Sequence, residues 1–297
     1  MMTLEQLRIF VAVAEREHLT RAAEALRLTP SATSSAIRVL EERYGIALFH
    51  RTGRRIELTE AGLAFLPEAK ATLARATSAD LFLTEIGGLR RGTLAIAASQ
   101  TVGGYWLPPF LMRFHEAYPA IGIRMTGGNT EQAAEAVLEG RAELGIVEGD
   151  VDHPALSQRI VARDRVLVVA PAGHPLAGRP VTPQELTGAR WVLREPGSGT
   201  RSALTSVLDE TALEIALSLP SNEAVRSAVL AGDALTAVSE YVVRDDLAAG
   251  RLVPVAFELP ERAFRLVRHK ERYRSRAALA FEALLADRSA RPDAGRP

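Results

Sequence analysis

Eight consecutive residues, Arg194-Glu195-Pro196-Gly197-Ser198-Gly199-Thr200-Arg201, put two glycines, two hydroxyls and flanking guanidinium groups into one segment. Such a loop suits an oxyanion, because glycine lets backbone N–H groups approach closely while hydroxyls and guanidinium groups donate hydrogen bonds. Three more polar segments accompany it: Ser99-Gln100-Thr101, Gly128-Asn129-Thr130 and Glu148. Taken singly, each also reads as a capped turn. All four follow strand patterns, and open α/β sheets bind ligands beyond the carboxyl ends of their strands. The expected ligand-contacting set is therefore Ser99, Gln100, Thr101, Gly128, Asn129, Glu148, Arg194, Ser198, Gly199 and Thr200, with a small anion favoured on electrostatic grounds. A competing reading makes Ser198 a nucleophile with Glu148 or Glu195 as acid or base, but Ser198 lacks the flanking pattern of a nucleophile elbow.

A second constellation lies near the start of the chain. Ser31, Ser34, Ser35 and Arg38 recur at helical spacing, while Thr33, Ala36, Ile37 and Leu40 occupy the same spacing about half a turn round. Small hydroxyls let a helix sit close to a DNA groove and donate to phosphates and base edges. The same helix also reads as a serine-rich solvated one. Arg51, Arg54 and Arg55, three permanent cations within five residues, favour the DNA reading, being suited to phosphate or minor-groove contact.

The elements that must position these residues follow from pattern. Thr3 and Gln6 fit a capping box opening an apolar stripe of Leu4, Leu7, Phe10, Val11 and Ala14. Thr20 heads a second helix, and Thr29-Pro30 heads the third, with threonine as N-cap and proline at the first helical position. A two-stranded wing is expected around Phe49 to Leu58. From Thr59 to Ile86, Leu66, Ala69, Leu73, Ala76 and Leu83 sit at seven-residue spacing, which fits a connecting and dimerising helix. A hinge is expected at residues 87–92.

Beyond the hinge the pattern alternates strand and helix, the mark of an α/β domain. Strands are expected at Thr93 to Ala98, Ile121 to Met125 and Leu144 to Val147, with helices at Leu107 to Ala117 and Glu131 to Glu139. A second series has strands at Val166 to Ala170, Trp191 to Arg194, Ile215 to Leu219 and Leu235 to Val238, with helices near Thr182, Arg201, Glu223 and Tyr241. Phe264 to Arg268 and Ser275 to Ala286 are expected to return to the first lobe, with a disordered tail after Asp287.

Composition narrows the chemistry. With no cysteine among 297 residues, disulfides, thiolate metal sites and thiol nucleophiles are excluded, and six scattered histidines form no metal motif. Neither cofactor nor metal is expected. Lysine plus arginine equals aspartate plus glutamate, 36 each, so affinity for nucleic acid must come from local charge placement. No run approaches the ~18 apolar residues of a membrane span, and the opening residues lack the pattern of a signal peptide, so a cytoplasmic protein with no membrane partner is expected.

Leu19-Thr20-Arg21-Ala22-Ala23-Glu24-Ala25-Leu26, Leu40-Glu41-Glu42, Leu48-Phe49, Arg51, Leu58-Thr59 and Ala61-Gly62 resemble, in order and spacing, the N-terminal signature of the LysR family of transcription regulators. The resemblance implies an all-α winged helix-turn-helix at 1–60, a linker helix at 61–88, and at 89–297 an α/β two-lobed effector domain similar to type 2 periplasmic binding proteins. Lobe one would span about 92–162 and 264–290, and lobe two about 163–263. It also implies a non-enzymatic regulator that binds double-stranded promoter DNA and a small-molecule effector, pairs with itself as a dimer and tetramer, and has RNA polymerase as a partner. The implied DNA-contacting set is Thr20, Arg21, Thr29, Pro30, Ser31, Thr33, Ser34, Ser35, Arg38, Arg51, Arg54 and Arg55. Ser99-x-Thr101, Gly128-Asn129-Thr130 and the 195–201 segment resemble the subset that includes regulators of carbon fixation and sulfur metabolism. Ser35 and Ala36 stand where many relatives carry Arg and Gln, which shifts expected specificity toward phosphate contacts and DNA shape. A receptor or enzyme sharing the two-lobed fold is the alternative, and it leaves residues 1–86 without a role.

Overall fold

The structure, a computed structural model, describes residues 1–52, 55–86 and 92–287. Most of the expected hinge, Arg54 and the tail from residue 288 lie outside the described residues. The chain divides into two compact units, Met1–Gly87 with Glu139–Arg141, and Gly88–Leu138 with Ala142–Pro297.

In the first unit, α1 (Leu4–Arg16) opens on the expected capping box between Thr3 and Gln6. The second helix, α2 (Leu19–Leu26), differs in its cap: His18 takes that place, its Nδ1 accepting from the Arg21 N–H at 3.3 Å. Thr20 thus falls inside the first turn. For α3 (Pro30–Tyr44), Thr29 is the N-cap, and Gly45 ends the helix in the left-handed region at φ +65°. Strands β1 (Phe49–Thr52) and β2 (Arg55–Leu58) pair antiparallel, and α4 (Glu60–Ile86) follows.

The core gathers Leu7, Phe10, Val13, Ile37 and Leu40, all buried, and Phe10 stacks obliquely on Phe49 and Phe65 at ring separations of 5.4 and 5.0 Å. Burying aromatic pairs in tilted contact stabilises beyond the area they remove from water. The signature residues have visible work here. Glu41 accepts from the Leu48 and Phe49 N–H groups at 2.8 and 3.1 Å, fixing the entry to β1 against α3. Thr59 donates to the Ala47 carbonyl at 2.8 Å and accepts from the Gly62 N–H at 2.9 Å, capping α4. A Cβ at Gly62 would lie 2.2 Å from the Leu48 carbonyl oxygen, so only glycine fits there.

Among the described residues, the second unit contains three sheets arranged in two lobes. After β3 (Gly92–Ser99) the chain makes a π-turn, Val102–Trp106, then α5 (Pro108–Ala117), β4 (Ile121–Gly128), α6 (Thr130–Leu138) and β5 (Leu144–Glu148). Next come β6 (Leu156–Asp164), β7 (Val166–Pro171), α7 (Pro183–Thr187), β8 (Arg190–Arg194), α8 (Gly199–Thr205), β9 (Glu214–Leu219), α9 (Asn222–Ala231) and β10 (Thr236–Ser239). The chain ends with α10 (Glu240–Ala248), β11 (Leu252–Glu258), β12 (Arg262–His269) and α11 (Arg276–Ala286).

One sheet has the order β4-β3-β5-β12-β6, with β3 parallel to β4 and β5, and β12 antiparallel to β5 and β6. The other lobe holds β10-β7-β11 and the parallel pair β8-β9, joined by a bridge between Trp191 and Leu235. As expected, β12 and α11 return to the first sheet, where Phe264 and Phe281 are buried with Phe110 and Phe114. Two strands were not anticipated, β6 and β11. Both lie at sheet edges, where β6 exposes Ile160 and alternates poorly, and β11 carries Pro254 beside a register shift. Edge strands need no continuous apolar run and tolerate proline and irregularity. Because β6 passes into β7 and β11 into β12, the chain crosses between the lobes twice, after Asp164 and before Arg262.

Candidate effector cleft and nucleic-acid interface

The four polar segments lie where the strand ends of the two lobes meet. Ser99 ends β3, Gly128 ends β4 and Glu148 ends β5, while Ser198 stands at the N-terminus of α8 from the opposite lobe. Ser99, Thr101, Asn129, Glu148, Arg194, Ser198 and Thr200 are all buried. Asn129 and Gln132 cap the start of α6 reciprocally, at 3.0 and 2.9 Å.

At the centre stands a residue that motif reading passed over, Arg262, the first residue of β12. Its Nε donates to Asp164 at 2.7 Å and its Nη2 lies 2.6 Å from the same carboxylate. Nη1 donates to Glu148 at 2.6 Å and to the Thr200 hydroxyl at 3.1 Å, and Nη2 donates to the Thr101 hydroxyl at 3.2 Å. One guanidinium therefore ties both lobes and three of the expected ligand residues together. Burial pushes the Asp164 carboxyl above its ordinary range, opposed by the charge of Arg262 and by the Ser239 hydroxyl, which donates at 2.8 Å. No local pattern announces Arg262. Its role arises from the crossover that brings β12 beside β6, pairing Arg262 with Asp164 across 98 residues of sequence.

Further bonds span the lobes. Gln100 donates to the Pro220 carbonyl at 2.7 Å and accepts from the Asn222 N–H at 3.1 Å. Asn222 donates through Nδ2 to Thr101 at 3.2 Å, and Tyr105 donates to Glu223 at 3.0 Å. Burial, then that carboxylate, pushes the Tyr105 phenol up to about 12, so it stays a neutral donor. Close packing seals the meeting. A Cβ at Gly199 would come within 2.9 Å of the Glu148 Cβ and 3.0 Å of its backbone oxygen, and Gly197 adopts φ +81° against Asn129 and Glu131.

The expected cations are already engaged. Arg194 pairs with Glu195 at 2.7 Å and donates to Asn222 at 2.7 Å, and Arg201 pairs with Glu210 at 2.6 Å. The flanking guanidinium groups are therefore not free for an anion, which corrects that part of the electrostatic expectation. What remains unspent is hydroxyl. Ser99 Oγ is buried without a partner among the described residues, and Ser198 makes no cap bond at α8. A cavity of about 920 Å³ opens alongside, bounded by Glu148, Gly197, Gly199, Ser202 and Arg262, but it does not reach Ser99, Thr101 or Thr200. Asp233, beyond the Gly232 end of α9, pairs with Arg190 at 3.1 Å.

In the first unit, Thr20, Arg21, Thr29, Pro30, Ser31, Ser35 and Arg38 are exposed and Ser34 is half-buried. Thr33 departs from the expected set: it is fully buried, its hydroxyl donating to the Thr29 carbonyl at 3.1 Å, because it falls on the face that packs with Ile37 and Leu40. Of the wing arginines, Arg51 pairs by backbone with Ile56 and Arg55 with Thr52.

Comparison with known proteins agrees across the chain. Residues 4–63 match the model for the bacterial regulatory helix-turn-helix protein of the lysR family, and residues 87–290 match the LysR substrate binding domain. The HTH-type transcriptional regulator YeiE of Escherichia coli is 34% identical over 283 residues, covering 94% of this chain and 95% of that protein. The RuBisCO operon transcriptional regulator of Allochromatium vinosum is 33% identical over 294 residues, covering 97% of each. The solved structure of full-length CbnR complexed with its target DNA shares the fold at a TM-score of 0.65 and 22% identity, covering 97% of this chain and 100% of that one.

Proposed function

The chain belongs to the LysR family of bacterial transcription regulators, and from that premise we propose that its second unit senses a small anionic effector held between the lobes. It is a DNA-binding regulator with an effector-binding domain, not an enzyme. No described helix is long and apolar enough to cross a membrane, and the place of action proposed is the cytoplasm.

The observation that carries the effector reading is the Ser99 hydroxyl at the end of β3, two positions before Thr101, buried and without a partner among the described residues. A buried polar group without a partner is costly unless something completes it. The engaged arginines leave hydroxyl donors to hold the anion, and the proposed contact set is Ser99, Gln100, Thr101, Gly128, Asn129, Glu148, Ser198, Gly199 and Thr200, with Arg194 held instead by Glu195 and Asn222. Those groups are closed off while the lobes touch, so binding requires the lobes to part and reclose. The change in closure alters how copies pair as dimer and tetramer, and hence the spacing of their DNA-binding helices at the promoter, where RNA polymerase is the further partner.

In the first unit the proposed contacts are Thr20, Arg21, Thr29, Pro30, Ser31, Ser34, Ser35 and Arg38, with Arg51, Arg54 and Arg55 from the wing. Thermal-shift screening of small oxyanions against the full chain and Thr200→Ala tests the sensing half. An anion that stabilises the native chain and not the variant is expected; equal response of both, or none, contradicts it.

A further inference from the structure

The hydroxyls of the cleft differ in what they have left to offer. Arg194 has only donors, so the Asn222 side-chain atom it meets at 2.7 Å must be the carbonyl oxygen, and the amide nitrogen then faces Thr101. The Thr101 oxygen consequently accepts two N–H bonds, one from Asn222 and one from Arg262, both at 3.2 Å. Both its lone pairs are taken, and its own proton has no acceptor among the described residues. Thr200 accepts from Arg262 at 3.1 Å, which turns its O–H away from the guanidinium, and its proton likewise has no acceptor among the described residues. Ser99 adds a hydroxyl with no partner among the described residues.

We propose that Arg262 and Asn222 are positioning residues that lock the Thr101 and Thr200 hydroxyls as donors, so that the cleft selects ligands presenting only acceptor oxygens. The inference rests on the anionic reading of the effector and deepens it. Arg262 does not attract the anion by charge, because Glu148 and Asp164 neutralise it. It acts through the direction of two protons. An oxyanion without a proton, such as sulfate, satisfies those donors. Phosphate near neutral pH keeps at least one O–H, which would meet another donor and leave a buried proton unpaired. A polar mismatch of this kind costs about tenfold or more in affinity.

The test uses sulfate and phosphate as probes, titrated calorimetrically into the full-length chain at fixed ionic strength. Four proteins are compared: native, Thr200→Ala, Arg262→Lys and Asn222→Asp. Lysine keeps the charge for Glu148 and Asp164, but its three donors cannot serve the four partners of Arg262, so at least one threonine regains rotation. Asn222→Asp keeps the contact with Arg194 and offers Thr101 an acceptor, drawing its proton inward; it remains informative if Arg262→Lys fails to fold.

The native chain should prefer sulfate by about tenfold or more, Thr200→Ala should weaken sulfate, and both positioning variants should narrow the preference. A merely structural role would lower both affinities together and leave their ratio unchanged. Should sulfate bind and Thr200→Ala weaken it, while phosphate binds equally well or the variants keep the native preference, the proton-direction inference is overturned and the anion site stands. Sulfate binding that ignores Thr200→Ala, or no binding of either probe, overturns both.

Discussion

Arg262 spends its N–H donors on Asp164, Glu148, Thr101 and Thr200, and is 6% exposed. Replacing it by alanine leaves two buried carboxylates without a countercharge, a loss expected to cost about 3–5 kcal/mol, measurable by urea unfolding. Asp246 illustrates the opposite balance. Its buried carboxylate receives Arg226 and Arg251, and the Arg226 hydrogen bond, ahead of Arg251, holds its carboxyl below the ordinary range. A depressed carboxylate contributes stability that is present above its unfolded value, about pH 4, and disappears as pH falls through the folded one. Asp246→Asn should therefore flatten the acid limb of the stability profile, followed by circular dichroism; an unchanged limb would refute the assignment. Legibility also differs by residue. The positions of Ser99, Thr101 and Thr200 at strand and loop ends were legible, because an apolar strand pattern giving way to small hydroxyls is a local signal. Arg262, Asp164 and Asn222 were not, because each acquires its role from a partner many residues away.

At the scale of elements, helices with caps and stripes were readable to within a residue or two, as α1 with its Thr3 box and α3 with Thr29-Pro30 demonstrate. The His18 cap was missed because imidazole is an uncommon capping side chain and Thr20 was the conventional choice. Strands β6 and β11 escaped because edge position relaxes the alternation that identifies central strands. Two glycines join elements so closely that alanine should be disruptive. At Gly62 the obstacle is the Leu48 carbonyl, 2.2 Å from a would-be Cβ, so Gly62→Ala should push β1 from α4, lower the melting temperature of the first unit and weaken DNA binding. Gly199→Ala meets the Cβ and backbone oxygen of Glu148 and should loosen the contact between lobes, at about 1–3 kcal/mol. Enhanced amide exchange at the β5 and α8 ends would report it, whereas unchanged protection there would count against close packing of the lobes.

For the whole molecule, two features combine: a helix-turn-helix unit whose α3 exposes small hydroxyls, and a two-lobed unit whose cleft is sealed by its own side chains. Net charge is zero, so DNA affinity rests on locally placed cations. Arg38, exposed and 4.0 Å from Glu42, is proposed as one of these, and Arg38→Ala should weaken DNA binding and reduce its salt slope by about one. The family and its two-part layout were legible because the signature residues are local, whereas the closed state of the cleft depends on contacts made only after folding. The most direct test of the account is a footprint of full-length chain on a genomic DNA fragment that it selects, with and without the oxyanion that stabilises it. The oxyanion is expected to change the extent and bending of the native footprint and to leave that of Thr200→Ala unchanged. Identical native footprints in both conditions, or the same change in the variant, would contradict it.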